Sequence, residues 1–200
     1  MKINTPRFLI IHHIGGTSSN PSFDSSVNTF EQVNEYHKGK WYFRSSLGYY
    51  IAYQYFLDWQ GNKKQGRADT DEGCHCIGMN TSSIAICLAG NFSRIGEHNR
   101  PSDAQVIALK QLLRHLLLKY DIPVTKVVGH RYFSSTACPG QNFSDKRIRE
   151  LAAEAIATDE AEKIELLKKQ IGIIQKLIAL YTKILRLFNK VGGIKDFEDN

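Results

Sequence analysis

The run SIAICLAGNF, residues 83–92, is apolar at consecutive positions from Ile84 to Ala89 and ends on Gly90. A strand with one wet face alternates polar and apolar residues, whereas an unbroken apolar run reads as a strand covered on both faces. Two other segments repeat the pattern. FLIIHH (8–13) stops at Gly15 and Gly16, VTKVVGH (124–130) runs into a loop, and each carries histidine at its exit. YYIAYQYFLDWQGN (49–62) reads as hairpin material, aromatic and β-branched up to Asp58, with a turn near Gly61 and Asn62.

Helices fall between these strands. After a loop at GTSSNPS (16–22), Val27, Phe30 and Val33 predict a helix over roughly 27–37, closed by Gly39. Ser102 with Gln105 three residues on forms a capping box, and Val106, Leu109, Leu112, Leu113, Leu116 and Leu117 follow at helical spacing. That helix should end near Tyr120, before Pro123. Strands alternating with helices predict an α/β layered domain whose sites lie where strands end.

Composition narrows the class. With 200 residues and 42% hydrophobic content the chain suffices for one well-buried domain and an appendage. The net charge of +6 lies in residues 1–150, because residues 151–200 hold eight Lys/Arg and eight Asp/Glu. An anionic partner is expected, but not nucleic acid: there is no Lys/Arg stripe, zinc-finger spacing or aromatic-basic repeat. The four apolar residues Phe8 to Ile11 are too few for a signal peptide, so synthesis in the cytoplasm is expected, with export left to another factor. Cys74, Cys76, Cys87 and Cys138 are too sparse for a disulfide scaffold and read as reduced thiols.

In VVGHRYFSSTACPG (127–140) a histidine stands at a strand exit and a cysteine eight residues on. If the exit of FLIIHH lies alongside, two imidazoles and a thiolate converge as three ligands with one open position, the arrangement of a catalytic zinc site. Zinc accepts nitrogen and thiolate together and acidifies a bound water to a pKa of about 7. Residue types alone leave the bland alternative open: a hydrogen-bonded structural histidine and a packed cysteine. Adjacent strand residues face opposite ways, so only one of His12 and His13 belongs to such a site.

Taken together, FLIIHH, GYYIAYQYFLDWQG, HCIGMNTSSIAICLAGNF, SDAQVIALKQLL and VVGHRYFSSTACPG resemble the zinc-dependent N-acetylmuramoyl-L-alanine amidases, the family shared by phage lysozyme-type amidases and peptidoglycan recognition proteins. The resemblance covers about residues 5–145. It implies a mixed central β-sheet flanked by helices, a zinc-floored groove, peptidoglycan as partner, and cleavage between the lactyl group of N-acetylmuramic acid and L-alanine. It places the zinc ligands on His12, His130 and Cys138 and the active-site tyrosine on Tyr49, after Gly48. Thr136 stands where members carry lysine or threonine, as an oxyanion donor. His75 matches a groove-lining histidine for substrate contact, and Asn80 holds the loop or faces substrate. Another branch has glutamate where this chain has Cys87, which reads as packing. Cys74, His75 and Cys76 are too close together to encircle a second ion, and His37, His98 and His115 read as ordinary residues. Non-catalytic relatives usually lose a zinc ligand, so a binding module without catalysis is the alternative. The leading expectation is a peptidoglycan amidase, either an endolysin acting on the wall after release or a wall-remodelling enzyme, with the lack of an export signal favouring the endolysin.

Past Asp145 the pattern becomes one long helix, dividing the chain into a catalytic domain, 1–145, and a helical segment, 146–200. Ile164, Leu167, Ile171, Ile174, Ile178, Tyr181, Leu185 and Phe188 keep heptad spacing, with Lys176, Lys183 and Lys190 on the opposite face. Such a helix packs on its own domain, self-associates, or lies on a membrane through residues 160–190.

Overall fold

A computed structural model describes residues 2–15, 29–93 and 99–191. The expected loop 16–22, Val27 and His98 lie outside the described residues. Five strands form one sheet in the order β3-β2-β4-β1-β5: β1 (Phe8–His13), β2 (Tyr55–Leu57), β3 (Lys63–Gln65), β4 (Ser83–Leu88) and β5 (Val127–Gly129). β1 runs parallel to β4 and β5, β2 runs parallel to β4, and β3 is antiparallel to β2, so the sheet is mixed. The helices are α1 (Phe30–Trp41), α2 (Asp103–Tyr120) and α3 (Asp145–Val191).

Strand alternation sorts the core into two faces. Leu9 and Ile11 of β1 and Ile84, Ile86 and Leu88 of β4 pack with Leu109, Leu112, Leu113, Leu116 and Leu117 of α2 and with Ile148, Leu151 and Ala152 of α3. Phe56 and Cys87 pack instead with Phe30 and Val33 of α1, while Ile10 and Val128 join Cys76. His12 shares the parity of Ile10, and His13 that of Leu9 and Ile11. Every residue of β4 is buried, as its unbroken apolar run requires.

α2 begins and ends as the sequence predicts. Ser102 Oγ accepts from the Gln105 amide at 3.1 Å, and Gln105 returns the bond to the Ser102 amide at 3.1 Å. Gln105 is buried and also donates to the carbonyls of Ala89 (2.8 Å) and Leu57 (3.3 Å), satisfying groups where β4 and β2 end. α1 differs from expectation at its far end. Gly39 lies inside the helix, and the terminator is Tyr42, at φ 48°, whose amide donates to the Lys38 carbonyl. The hairpin is shorter than the aromatic run suggests, because upstream of β2 the side chains of α1 take the place of a neighbouring strand. Asn34 Oδ1 accepts from the amides of Tyr50 (2.7 Å) and Ile51 (3.1 Å), and His37 Nδ1 accepts from that of Ala52 (3.1 Å). Arg67, fully buried, donates to the carbonyls of Ile51, Glu72 and Phe43, which ties the same segment down from the other side.

The chain divides into two compact units, Met1–Ile156 and Ala157–Asn200. The first holds the sheet, α1, α2 and the opening turns of α3. Within its described residues the second is helix throughout.

Candidate metal centre and its cleft

Parallel pairing of β1 with β5 sets Ile11 opposite Gly129, so the next residues, His12 and His130, leave the sheet side by side at the carboxyl edge. Their ring centroids lie 4.5 Å apart. The chain then turns through His130–Tyr132 and comes back, held by Arg131. The Arg131 amide donates to the Cys138 carbonyl (2.9 Å), and its guanidinium donates to the carbonyls of Gly140 (2.6 Å) and Phe143 (2.9 Å). Gly140 adopts φ 98°, and a Cβ there would meet the Phe92 backbone at 2.4 Å, so only glycine lets the returning loop sit this close. The result is one group of donor atoms, from His12, His130 and Cys138, all within 4.8 Å of one another. Among the described residues it is the one cluster with spacing suited to a metal ion.

His13 takes the other face. Its Nδ1 accepts from the Phe92 amide at 2.9 Å, while the Phe92 carbonyl accepts from Asn142 at 2.9 Å. It therefore anchors the loop that returns Cys138, as strand alternation requires.

The electrostatics suit a cation. Burial holds His12 well below the ordinary histidine range, with His75, His130 and His13 adding to the effect. Burial lowers His130 as well. Both imidazoles are thus neutral, with lone pairs free to ligate. Burial pushes the Cys138 thiol up to about 12, so its thiolate is stable there only beside a positive charge.

His75 holds His12 in place. His12 points Nδ1 toward the Cys138 sulfur, 3.7 Å away, and its Nε2 meets His75 Nδ1 at 3.1 Å. His75 Nε2 reaches Ser83 Oγ at 3.4 Å, and that hydroxyl donates to the Met79 carbonyl at 2.7 Å. One direction of donation satisfies the whole chain: His12 Nε2–H to His75, His75 Nε2–H to Ser83, Ser83 to the backbone. It leaves the His12 Nδ1 lone pair for the site. His75 lines the cleft, and both of its ring nitrogens are engaged within the protein. Asn80 supports the same loop, its Oδ1 accepting from the amides of His75 (2.9 Å) and Cys76 (3.0 Å).

A cleft of about 430 Å³ opens over the cluster, lined by His12, Tyr53, His75, Asn80, His130, Ser134 and Cys138, with Trp41 at its side. The tyrosine here is Tyr53, its ring centroid 5.1 Å from that of His12. Tyr49 is absent from the lining. It packs edge-on against Phe30 at 5.0 Å, so the expectation for Tyr49 is corrected: of the two tyrosines it is Tyr53 that lines the cleft. The two differ by four residues along a segment rich in tyrosine. Burial holds the Tyr53 phenol well above its ordinary range, with Cys87, to which it hydrogen-bonds, adding to this. Cys87, opposite His12 in the β1–β4 register, is therefore a partner of Tyr53 as well as a packing residue. Thr136 is exposed, and its Oγ1 accepts from the Cys138 amide at 3.2 Å, bracing the ligand rather than lining the cleft. Cys74 and Cys76 are free thiols.

The profile of the N-acetylmuramoyl-L-alanine amidase family matches residues 2–141. The chain belongs to that family. The amidase match takes in all three donor residues and Tyr53, and it stops before α3. Peptidoglycan-recognition protein SC2 of Drosophila melanogaster is 29% identical over 138 residues, covering 68% of this chain and 69% of the relative. The endolysin of Escherichia phage T7 is 32% identical over 98 residues, covering 48% of this chain and 62% of the phage protein. Among solved structures, the endolysin amidase LysCS of Clostridium intestinale superposes with a TM-score of 0.59 at 24% identity, covering 75% of this chain and 87% of the other. Drosophila PGRP-LB superposes with a TM-score of 0.54 at 23% identity, covering 76% and 83%. At such identities the structural likenesses speak for the amidase fold.

Proposed function

We propose that this chain is a zinc amidase of the endolysin type, hydrolysing the bond between the lactyl group of N-acetylmuramic acid and L-alanine in peptidoglycan. The observation that carries the reading is the convergence of His12, His130 and Cys138 within 4.8 Å on the floor of an open cleft. One edge of the donor set fits by size. Zinc bonds of about 2.0–2.1 Å to nitrogen and 2.3 Å to sulfur set a tetrahedral nitrogen–sulfur edge near 3.6 Å, and the His12–Cys138 separation is 3.7 Å.

A zinc ion held there would supply Lewis-acid polarisation of the amide carbonyl and an acidified water. The remaining work falls to the chain. His75 and Ser83 keep the His12 ring in one tautomer and one orientation. Tyr53, protonated at neutral pH, presents a phenol beside His12 from which an O–H can turn from Cys87 to the oxygen that gains charge. Thr136 and Arg131 fix the loop, so that the sulfur does not wander as the substrate enters. Among the described residues the lining offers no lysine or arginine, so charge stabilisation there would rest on the ion and on hydrogen bonds.

Mass spectrometry of peptidoglycan fragments tests the reading. The wild type should release stem peptides with a free L-alanine amine, and Cys138→Ser should lose both the zinc and the products. Zinc content with wall binding but no muramoyl-alanine cleavage would support a binding module instead, a reading that the similarity to a peptidoglycan-recognition protein keeps in view.

A further inference from the structure

We propose that the segment from Leu166 to Lys190 of α3 is a membrane-surface element that seats its apolar face in an anionic phospholipid bilayer. Its large apolar side chains are exposed, from 40% at Ile184 to 71% at Phe188, and they run the whole length of the segment. At 100° per residue they sweep an arc of roughly 200°, more contiguous apolar surface than a helix in water carries without a partner.

Charge selects the partner. Lys168, Lys169, Lys176, Lys183, Arg186 and Lys190 are the cations of this segment, and no Asp or Glu lies between Leu166 and Lys190. Lys176, Lys183 and Lys190 fall opposite Ile174 and Tyr181, so the polar face is cationic throughout.

A second copy fits less well. With Ile164 and Leu167 as heptad a and d, the flanking e and g places hold Lys163, Lys168, Gln170, Gln175, Leu177, Thr182, Ile184 and Asn189. No acid stands there, and the two charged places, Lys163 and Lys168, would face each other in a parallel pair, so no charge at the seam selects a second copy. Leu166, Ile173, Leu180 and Leu187, at position c, would stay outside a two-stranded seam. An anionic lipid surface answers both features: headgroups neutralise the cations and the acyl boundary takes the wide apolar face. Among the described residues no helix is long and apolar enough to cross a membrane. The geometry is that of a helix lying along the interface.

The test is flotation of the full chain with vesicles of mixed phosphatidylglycerol and phosphatidylcholine, and with phosphatidylcholine alone. The wild type should float with the mixed vesicles and stay behind with the neutral ones, and high salt should weaken binding. Reversing Lys176, Lys183 and Lys190 to Glu should lower partitioning by about a hundredfold or more, because each cation adds to the attraction. Ile174→Gln with Ile178→Gln keeps every charge and should also release the chain. Circular dichroism of both variants establishes that α3 is intact. Failure of the wild type to float with anionic vesicles overturns the proposal, as does flotation that both variants retain. So does sedimentation of the lipid-free chain as an oligomer that ignores the vesicles, which would assign the apolar face to a second copy. Wall-fragment masses report a different site, so this failure leaves the amidase reading untouched.

Discussion

His75 and Tyr53 show how much of the site lies in side chains that touch no metal. His75 meets His12, the proposed zinc ligand, at 3.1 Å, and removing such an outer partner lowers metal affinity by about 10- to 100-fold. His75→Ala should therefore weaken zinc in a chelator competition by that factor while the fold persists. Unchanged affinity would return His75 to a purely groove-lining part. Tyr53 and Tyr49 offer a paired comparison. Tyr53→Phe should lower kcat by about 10²-fold with little change in KM, the signature of a donor used in the transition state. Tyr49→Phe should leave both constants near wild type, because its ring packs on Phe30 and under the Lys64 ammonium, contacts that phenylalanine keeps. Equal losses from the two would undo the assignment of Tyr53.

At the scale of elements, α1 acts as a clamp on the segment that leads into β2. His37 carries part of that load: it is buried, with Nδ1 accepting from Ala52, and burial lowers its pKa to about 4, helped by Lys40 and Arg67. The unfolded chain, with an ordinary histidine pKa near 6.5, binds more protons between those values. Its stabilisation is therefore complete above pH about 6.5 and is lost as the pH falls toward 4, by up to about 3 kcal/mol. His37→Asn keeps an acceptor that does not titrate. Urea unfolding from pH 7 to 4 should show the wild type losing its advantage over this variant; a constant difference would mean that His37 does not titrate with folding. α2 depends on a polar cap. Ser102 caps Gln105 and donates to the Trp59 carbonyl at 2.7 Å, so Ser102→Ala should cost about 1–2 kcal/mol in the same assay.

Across the whole molecule, what the sequence discloses depends on whether a residue's role is local. FLIIHH, SIAICLAG and the Ser102–Gln105 cap declare strand, strand and helix start by composition and short spacing, and the structure places them so. The gathering of His12, His130 and Cys138 was legible only in part: two strand exits and a loop cysteine far apart in the chain are a weak signal by spacing, and the family likeness singled out these three, whose donor atoms the structure brings within 4.8 Å of one another. Tyr53 and Arg67 were not legible for one shared reason. Asn34, His37 and Arg67 satisfy the backbone around residues 49–54 from distant positions, so no local pattern marks where the hairpin truly begins. The same long-range assembly makes the metal centre a property of the folded first unit, since His12 and Cys138 stand 126 residues apart. An ion that binds only the folded state stabilises it by about 4 kcal/mol when free metal exceeds its dissociation constant a thousandfold. In a domain of this size that should raise the melting temperature by roughly 8–16 °C. Melting curves with and without a chelator should differ by that margin in the wild type and coincide in Cys138→Ser. Coincident wild-type curves would show that His12, His130 and Cys138 gather without retaining an ion.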